Sequence, residues 1–160
     1  MFEITLLTVG KLKEKFYIAA AQEYQKRLSG YCNFKILELP EVRLSENPSP
    51  AEILAGLNKE GEMILSKIPK GAWFCVLTPE GKLLSSEGLA NKIADIKLSG
   101  KSSACFLIGS SFGIAPSVKD KSDFQLSISP MTFPHHLARI MVLEQLYRAE
   151  AIQAGSKYHK

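Results

Sequence analysis

At 160 residues the chain has room for one domain that buries roughly two-thirds of its unfolded surface, and no apolar run reaches the ~18 residues of a membrane span. Hydrophobic residues make up 46% and charged residues 22%, an ordinary globular balance that excludes disordered and fibrous classes. The net charge of +4 is a mild bias toward polyanions, with basic residues spread from Lys11, Lys13 and Lys15 to Lys119, Lys121 and Lys157, so any RNA footprint has to be assembled in three dimensions.

In chain order, Met1-Phe-Glu-Ile-Thr-Leu-Leu has no basic n-region and reads as a first strand over 2–9 rather than a signal peptide, which predicts a cytoplasmic protein. A helix over 13–28 follows, with Phe16, Tyr17, Ala20, Tyr24 and Leu28 on one stripe and Gly30 as its stop. A strand at 34–39 leads into an exposed loop over 40–50 with three prolines. Ser49-Pro-Ala-Glu52 then starts a second helix with a capping box, its apolar stripe being Ile53, Leu57, Ile64 and Ile68. Strands are predicted at 72–77, 104–108 and 124–127, a third helix from Ser85 or Ser86 to Leu98, and a short helical turn from Pro116. This alternation predicts a single α/β domain over 1–160, a mainly parallel sheet covered by helices on both faces.

The last helix, 134–154, carries Leu137, Ile140, Met141, Val142, Leu143, Leu146, Tyr147 and Ile152 around more than one face. A surface helix normally shows one apolar stripe. Burial on two sides is expected, against its own sheet and against a second copy in a symmetric homodimer; the alternative is a helix central to its own domain. The three cysteines, Cys32, Cys75 and Cys105, show no Cys-x-x-Cys spacing and read as reduced core thiols.

Two loops carry the chemistry. Phe106-Leu-Ile-Gly-Ser-Ser-Phe-Gly113 is a buried strand emptying into a small-residue loop, and Leu126-Ser-Ile-Ser-Pro-Met-Thr-Phe-Pro-His135 is a strand emptying into a loop that starts a helix. Side by side at the strand ends they offer a pocket rich in backbone N–H and C=O groups, the edge at which open α/β sheets bind ligands. The glycine spacing fits neither the Walker phosphate loop nor the dinucleotide fingerprint, which argues against ATP or NAD. In the second loop the hydroxyls and backbone can bond an amino-acid moiety or adenine, while Ile128, Met131 and Phe133 add apolar contact; a structural strand-to-helix turn is the alternative. No metal-ligand spacing is present around His135, His136 or His159. Glu144 and Arg148, at i,i+4, are expected to neutralise each other, and Gly155 ends the helix and frees Tyr158, His159 and Lys160 to turn back toward a site, a frayed tail being the alternative.

These two runs, with Leu143-Glu-Gln-Leu-Tyr-Arg-Ala149, Tyr158-His-Lys160, Val9-Gly-Lys-Leu-Lys-Glu-Lys15 and Leu83-Leu-Ser-Ser-Glu-Gly-Leu-Ala90, resemble the large-subunit ribosomal RNA methyltransferase H family, small SPOUT methyltransferases, over the whole chain. The resemblance implies a carboxy-terminal trefoil knot, a homodimer, S-adenosyl-L-methionine as methyl donor without a metal, and methylation of N3 of a pseudouridine in helix 69 of 23S rRNA in the assembled ribosome. It places the cofactor contacts on Leu77, Gly109, Ile128, Ser129, Pro130, Met131, Thr132 and Phe133. Many relatives have two glycines where this chain has Gly109-Ser110, and Pro130 often appears as lysine; the surrounding motif is intact.

N3 carries a proton that must leave, so a base or a water path is needed. No dedicated carboxylate is evident near the motif loops. The expected catalytic residues are Tyr158 and His159 in the tail, with Arg139 or Lys160 near phosphate. Two other functions fit the scaffold: a non-enzymatic ribosome- or RNA-binding dimer, which would bind no cofactor, and a SPOUT enzyme acting on tRNA.

Overall fold

The computed structural model describes residues 1–159, so the expectation for Lys160 lies outside the described residues. Five strands, β1 (Glu3–Val9), β2 (Asn33–Leu39), β3 (Trp73–Leu83), β4 (Ser103–Ile108) and β5 (Phe124–Ser127), alternate with α1 (Lys15–Leu28), α2 (Pro50–Lys67), α3 (Ser86–Leu98), α4 (Pro116–Lys121) and α5 (His135–Gln153). All strand pairs are parallel, in the order β2-β1-β4-β3-β5. The α/β fold is therefore the one the apolar alternation predicts.

The sheet is buried on both faces, as a parallel sheet with helical crossovers must be. Ile4 and Leu6 of β1 join one core with Leu28, Ile93, Leu143 and Leu146, under α1, α3 and α5. Leu7 and Val9, pointing the other way, join Ile64, Leu107 and Val118 under α2 and α4. β4 at the centre is buried along its whole length.

Local chemistry sets the helix starts. Ser49 accepts from the Glu52 N–H and Glu52 reaches back to the Ser49 N–H, the expected capping box. Ser85 caps α3 by accepting from the Gly88 N–H at 2.9 Å. One position of the α1 stripe is corrected: Phe16 stands 66% exposed, tilted against Tyr17, while Ala21 joins the expected Leu28 on the buried side.

β3 runs longer than expected. After Leu77 it shifts register and pairs with β5 again, Lys82 against Leu126 and Leu83 against Ser127. Gly81 permits this: a Cβ there would lie 2.7 Å from the Leu126 carbonyl carbon. α5 packs between α1 and α3 on one face of the sheet. Those two neighbours account for part of the apolar surface that pointed to a second copy of the chain.

Candidate functional site

The carboxyl ends of β3, β4 and β5 open into a cavity of about 550 Å³, walled by the loops after each strand. Its size is that of a pocket for a cofactor-sized molecule. Leu77, Gly109, Ile128, Ser129, Met131, Thr132 and Phe133 all line it; Pro130 lies in the same loop, exposed and off the wall. The fold thus gathers residues more than fifty positions apart into one wall. A second cavity of about 440 Å³ shares Leu77, Ser127 and Ile128 with the first and extends between α3 and α5, past Leu89, Met141 and Gln145.

The 109–113 loop is a tight turn. The Gly113 N–H donates to the Ser110 carbonyl at 2.9 Å, and Gly113 takes φ +101°. A Cβ on Gly109 would meet the Gly113 oxygen and the Ile114 side chain at 2.5 Å, so only glycine lets strand end and turn lie this close. Phe112 at the tip is 46% exposed. The 127–133 loop holds its own shape: Ser127 Oγ donates to the Ser129 carbonyl at 3.1 Å, and Ser129 Oγ accepts from the Met131 N–H at 3.0 Å. Met131 is left 75% exposed at the rim.

Charge is unevenly placed around the cavity. Lys119 pairs with Glu80 there, and that bond, with a second from Thr78, holds the Glu80 carboxyl down at about 2. His135 lines the same cavity, and burial, then the neighbouring His136, keeps its imidazole below the usual range. His136 faces the other way, toward Glu14 at 3.5 Å and the Tyr17 ring. Among the described residues, no group of three or more His, Cys, Asp or Glu is placed to hold a metal ion.

The tail turns back, but onto helices. Tyr158 Oη donates to Glu144 Oε1 at 3.1 Å, and its ring packs against Tyr147 and under the Arg148 guanidinium. His159 sits between Arg148 Nη1, 3.1 Å from Nδ1, and Glu87 Oε1, 2.6 Å from Nε2. Arginine can only donate, so Nδ1 accepts and Nε2–H donates to Glu87. Both ring nitrogens are engaged in this arrangement. Neither Tyr158 nor His159 lines the first cavity, although Glu144 borders the second. Glu144 and Arg148 pair at 2.6 Å, as their spacing predicts.

Arg139, expected near phosphate, is 2% exposed, donating to Glu38 Oε2 at 2.8 Å and to the Gly10 carbonyl at 3.0 Å. Its position on the sheet-facing side of α5, next to Val142 and Leu143, explains the burial. A residue that the motifs did not reveal is Glu60, a buried carboxylate that accepts from Ser110 Oγ at 3.0 Å. One signal was available: Glu60 falls on the apolar stripe of Ile53, Leu57 and Ile64, where a charge needs a reason.

An all-parallel α/β sheet whose last three strands empty into one cavity has the architecture of a ligand-binding α/β protein. A family model described as "Predicted SPOUT methyltransferase" matches residues 2–159. The chain belongs to the SPOUT methyltransferase family. It is 45% identical over 157 residues to "Ribosomal RNA large subunit methyltransferase H" of Alkaliphilus oremlandii (strain OhILAs), covering 98% of this chain and 99% of that protein. The protein of the same name from Clostridioides difficile (strain 630) is 44% identical over the same shares, and that from Moorella thermoacetica (strain ATCC 39073 / JCM 9320) is 42% identical over all of both chains.

Proposed function

We propose that this chain is a cytoplasmic homodimeric enzyme that uses S-adenosyl-L-methionine to methylate N3 of a pseudouridine in helix 69 of 23S rRNA, acting on the assembled ribosome. The observation that carries this reading is end-to-end similarity, at 42–45% identity, to proteins named for methylating large-subunit rRNA. With the family comes the trefoil threading of the carboxy-terminal segment.

The cavity fits the donor on its own terms. Its walls are the loops after β3, β4 and β5, where Gly109, Ser110, Ser111 and Gly113 present small residues beside the hydroxyls of Ser127, Ser129 and Thr132. Leu77, Gly109 and the 128–133 loop would hold S-adenosyl-L-methionine, with Ile128, Met131 and Phe133 as apolar walls. When bound, it supplies a methyl on a sulfonium, already electrophilic. The protein then contributes mainly approach geometry, worth up to about 7–11 kcal/mol where alignment is good. The stiff 109–113 turn and the self-bonded 127–133 loop are suited to that, since neither has to be ordered on binding. Tyr158 and His159 are proposed to act in catalysis after leaving Glu144 and Glu87, His159 as acceptor of the N3 proton. Arg139 would act through the Gly10 carbonyl it holds, setting the course of the Lys11 and Lys13 loop. Unstacked bases are the usual targets of RNA recognition, and the exposed Phe112 and Met131 border the opening where such a base would enter.

The test is methyl transfer from radiolabelled S-adenosyl-L-methionine to ribosomes lacking the modification, to free 23S rRNA and to tRNA. Label in ribosomal 23S rRNA, mapped to the helix 69 pseudouridine, is expected. Label in tRNA alone would move the reading to a tRNA enzyme, and no label with a folded protein would leave an RNA-binding module.

A further inference from the structure

Glu60 lies on α2, outside every motif, and is 4% exposed. Burial pushes its carboxyl up, and among the described residues no ion pair offsets its charge. A buried carboxylate with no cation is costly and persists where hydrogen bonds satisfy it. Here each oxygen has one partner. Oε2 accepts from the Val42 N–H at 3.0 Å and Oε1 from Ser110 Oγ at 3.0 Å. The first bond ties down the 40–48 loop, whose Leu44 rests on Gly56 of the same helix. The second reaches the wall of the 550 Å³ cavity, because Ser110 lines it.

Ser110 is the anchor of its turn. Its carbonyl closes the turn onto Gly113, and its hydroxyl is spoken for by Glu60. Ser111 Oγ adds a longer bond to Glu41 in the 40–48 loop, at 3.4 Å. One carboxylate therefore links α2, the 40–48 loop and the 109–113 turn. We propose that Glu60 is a positioning residue of the methyl-transfer site, bracing the 109–113 turn through Ser110. This rests on the function proposed above. It gives the Ser110 hydroxyl a role: it meets a carboxylate placed to receive it. Displacement of a wall by an ångström can cost a positioned reaction a hundredfold, so a brace on this wall acts on binding and turnover together.

The experiment compares E60A, E60Q, S110A and the E60A/S110A double variant, each checked for cooperative thermal unfolding. Three readouts are taken: S-adenosyl-L-methionine affinity by calorimetry, methyl transfer to ribosomes, and amide hydrogen exchange across 109–114. E60A and S110A are each expected to weaken cofactor binding about tenfold, the scale of one lost charge-assisted hydrogen bond, and to speed exchange in the turn. The double variant should lose no more affinity than E60A, since both remove the same bond. E60Q should largely retain binding, because its amide can accept from the Val42 N–H and donate to Ser110 Oγ. Wild-type affinity and turnover in S110A would overturn the brace, as would additive losses in the double variant or an E60Q as impaired as E60A. Should E60A not fold, S110A alone decides. If the wild-type protein binds no S-adenosyl-L-methionine, the proposed function fails, and exchange decides the brace separately: an unchanged rate in S110A would overturn it too.

Discussion

Arg139 of α5 and Glu38 of β2, 101 positions apart, meet at 2.8 Å, and the same guanidinium holds the Gly10 carbonyl where β1 ends. One side chain thus ties the last helix to the first two strands. Truncating Glu38 would leave that guanidinium buried without its anion. E38A is expected to cost about 3 kcal/mol in denaturant unfolding, the low end for a broken buried pair because Glu38 is itself partly exposed. A loss near zero would mean that Arg139 finds another partner.

The tail separates catalysis from binding. H159A is expected to lower methyl transfer while leaving S-adenosyl-L-methionine affinity nearly unchanged, since His159 does not line the first cavity. Turnover equal to wild type would remove His159 from the reaction. Y158F, which loses only the bond to Glu144, should speed hydrogen exchange of the tail without altering global stability beyond about 1 kcal/mol.

Two glycines are held by close backbone approach. G109A places a methyl 2.5 Å from the Gly113 oxygen, and G81A one 2.7 Å from the Leu126 carbonyl carbon. Overpacking of this kind typically costs about 1–3 kcal/mol. Calorimetry should show G109A losing cofactor affinity more than tenfold, because the cavity wall must shift. G81A should chiefly lower the melting temperature, through the β3–β5 pairing.

Glu60 makes stability depend on pH with a definite sign. Burial raises its folded-state value above the unfolded one, so its contribution is complete below the ordinary carboxylate value of about 4.3 and is lost as pH rises through the folded value. E60Q, which never ionises, should therefore melt above the wild type at pH ~7.5. That advantage should shrink as pH falls toward ~4.3. An advantage that grew with acidity would contradict the buried, uncompensated carboxylate.

The thiols should be silent in the native state. Burial pushes Cys32 and Cys105 up to about 12, and Cys75 higher still than its usual range. Attack requires thiolate, so a maleimide at pH ~7.5 should label none of the three until denaturant is added. Prompt labelling of the folded protein would contradict their burial.

Much of this molecule is legible in one dimension because its signals are local. Apolar runs at strand spacing, Ser49 with Glu52 as a capping box, and glycines after buried strands depend only on neighbours a few residues away, and each became the element expected. The two motif loops were likewise visible, since a strand end rich in small residues and hydroxyls announces backbone available for a ligand. What required the tertiary structure were pairings between distant charges. Nothing near Arg139 says that Glu38 will meet it, or that Glu60 will reach Ser110 across fifty positions. Such contacts follow from strand order β2-β1-β4-β3-β5 and from α2 crossing beneath the 109–113 turn. Residue spacing thus determined the class of fold and the cavity's two loops. Only three-dimensional packing decided which charges are buried and how the wall is braced, because the cost of burying a charge depends on what the rest of the chain brings to meet it.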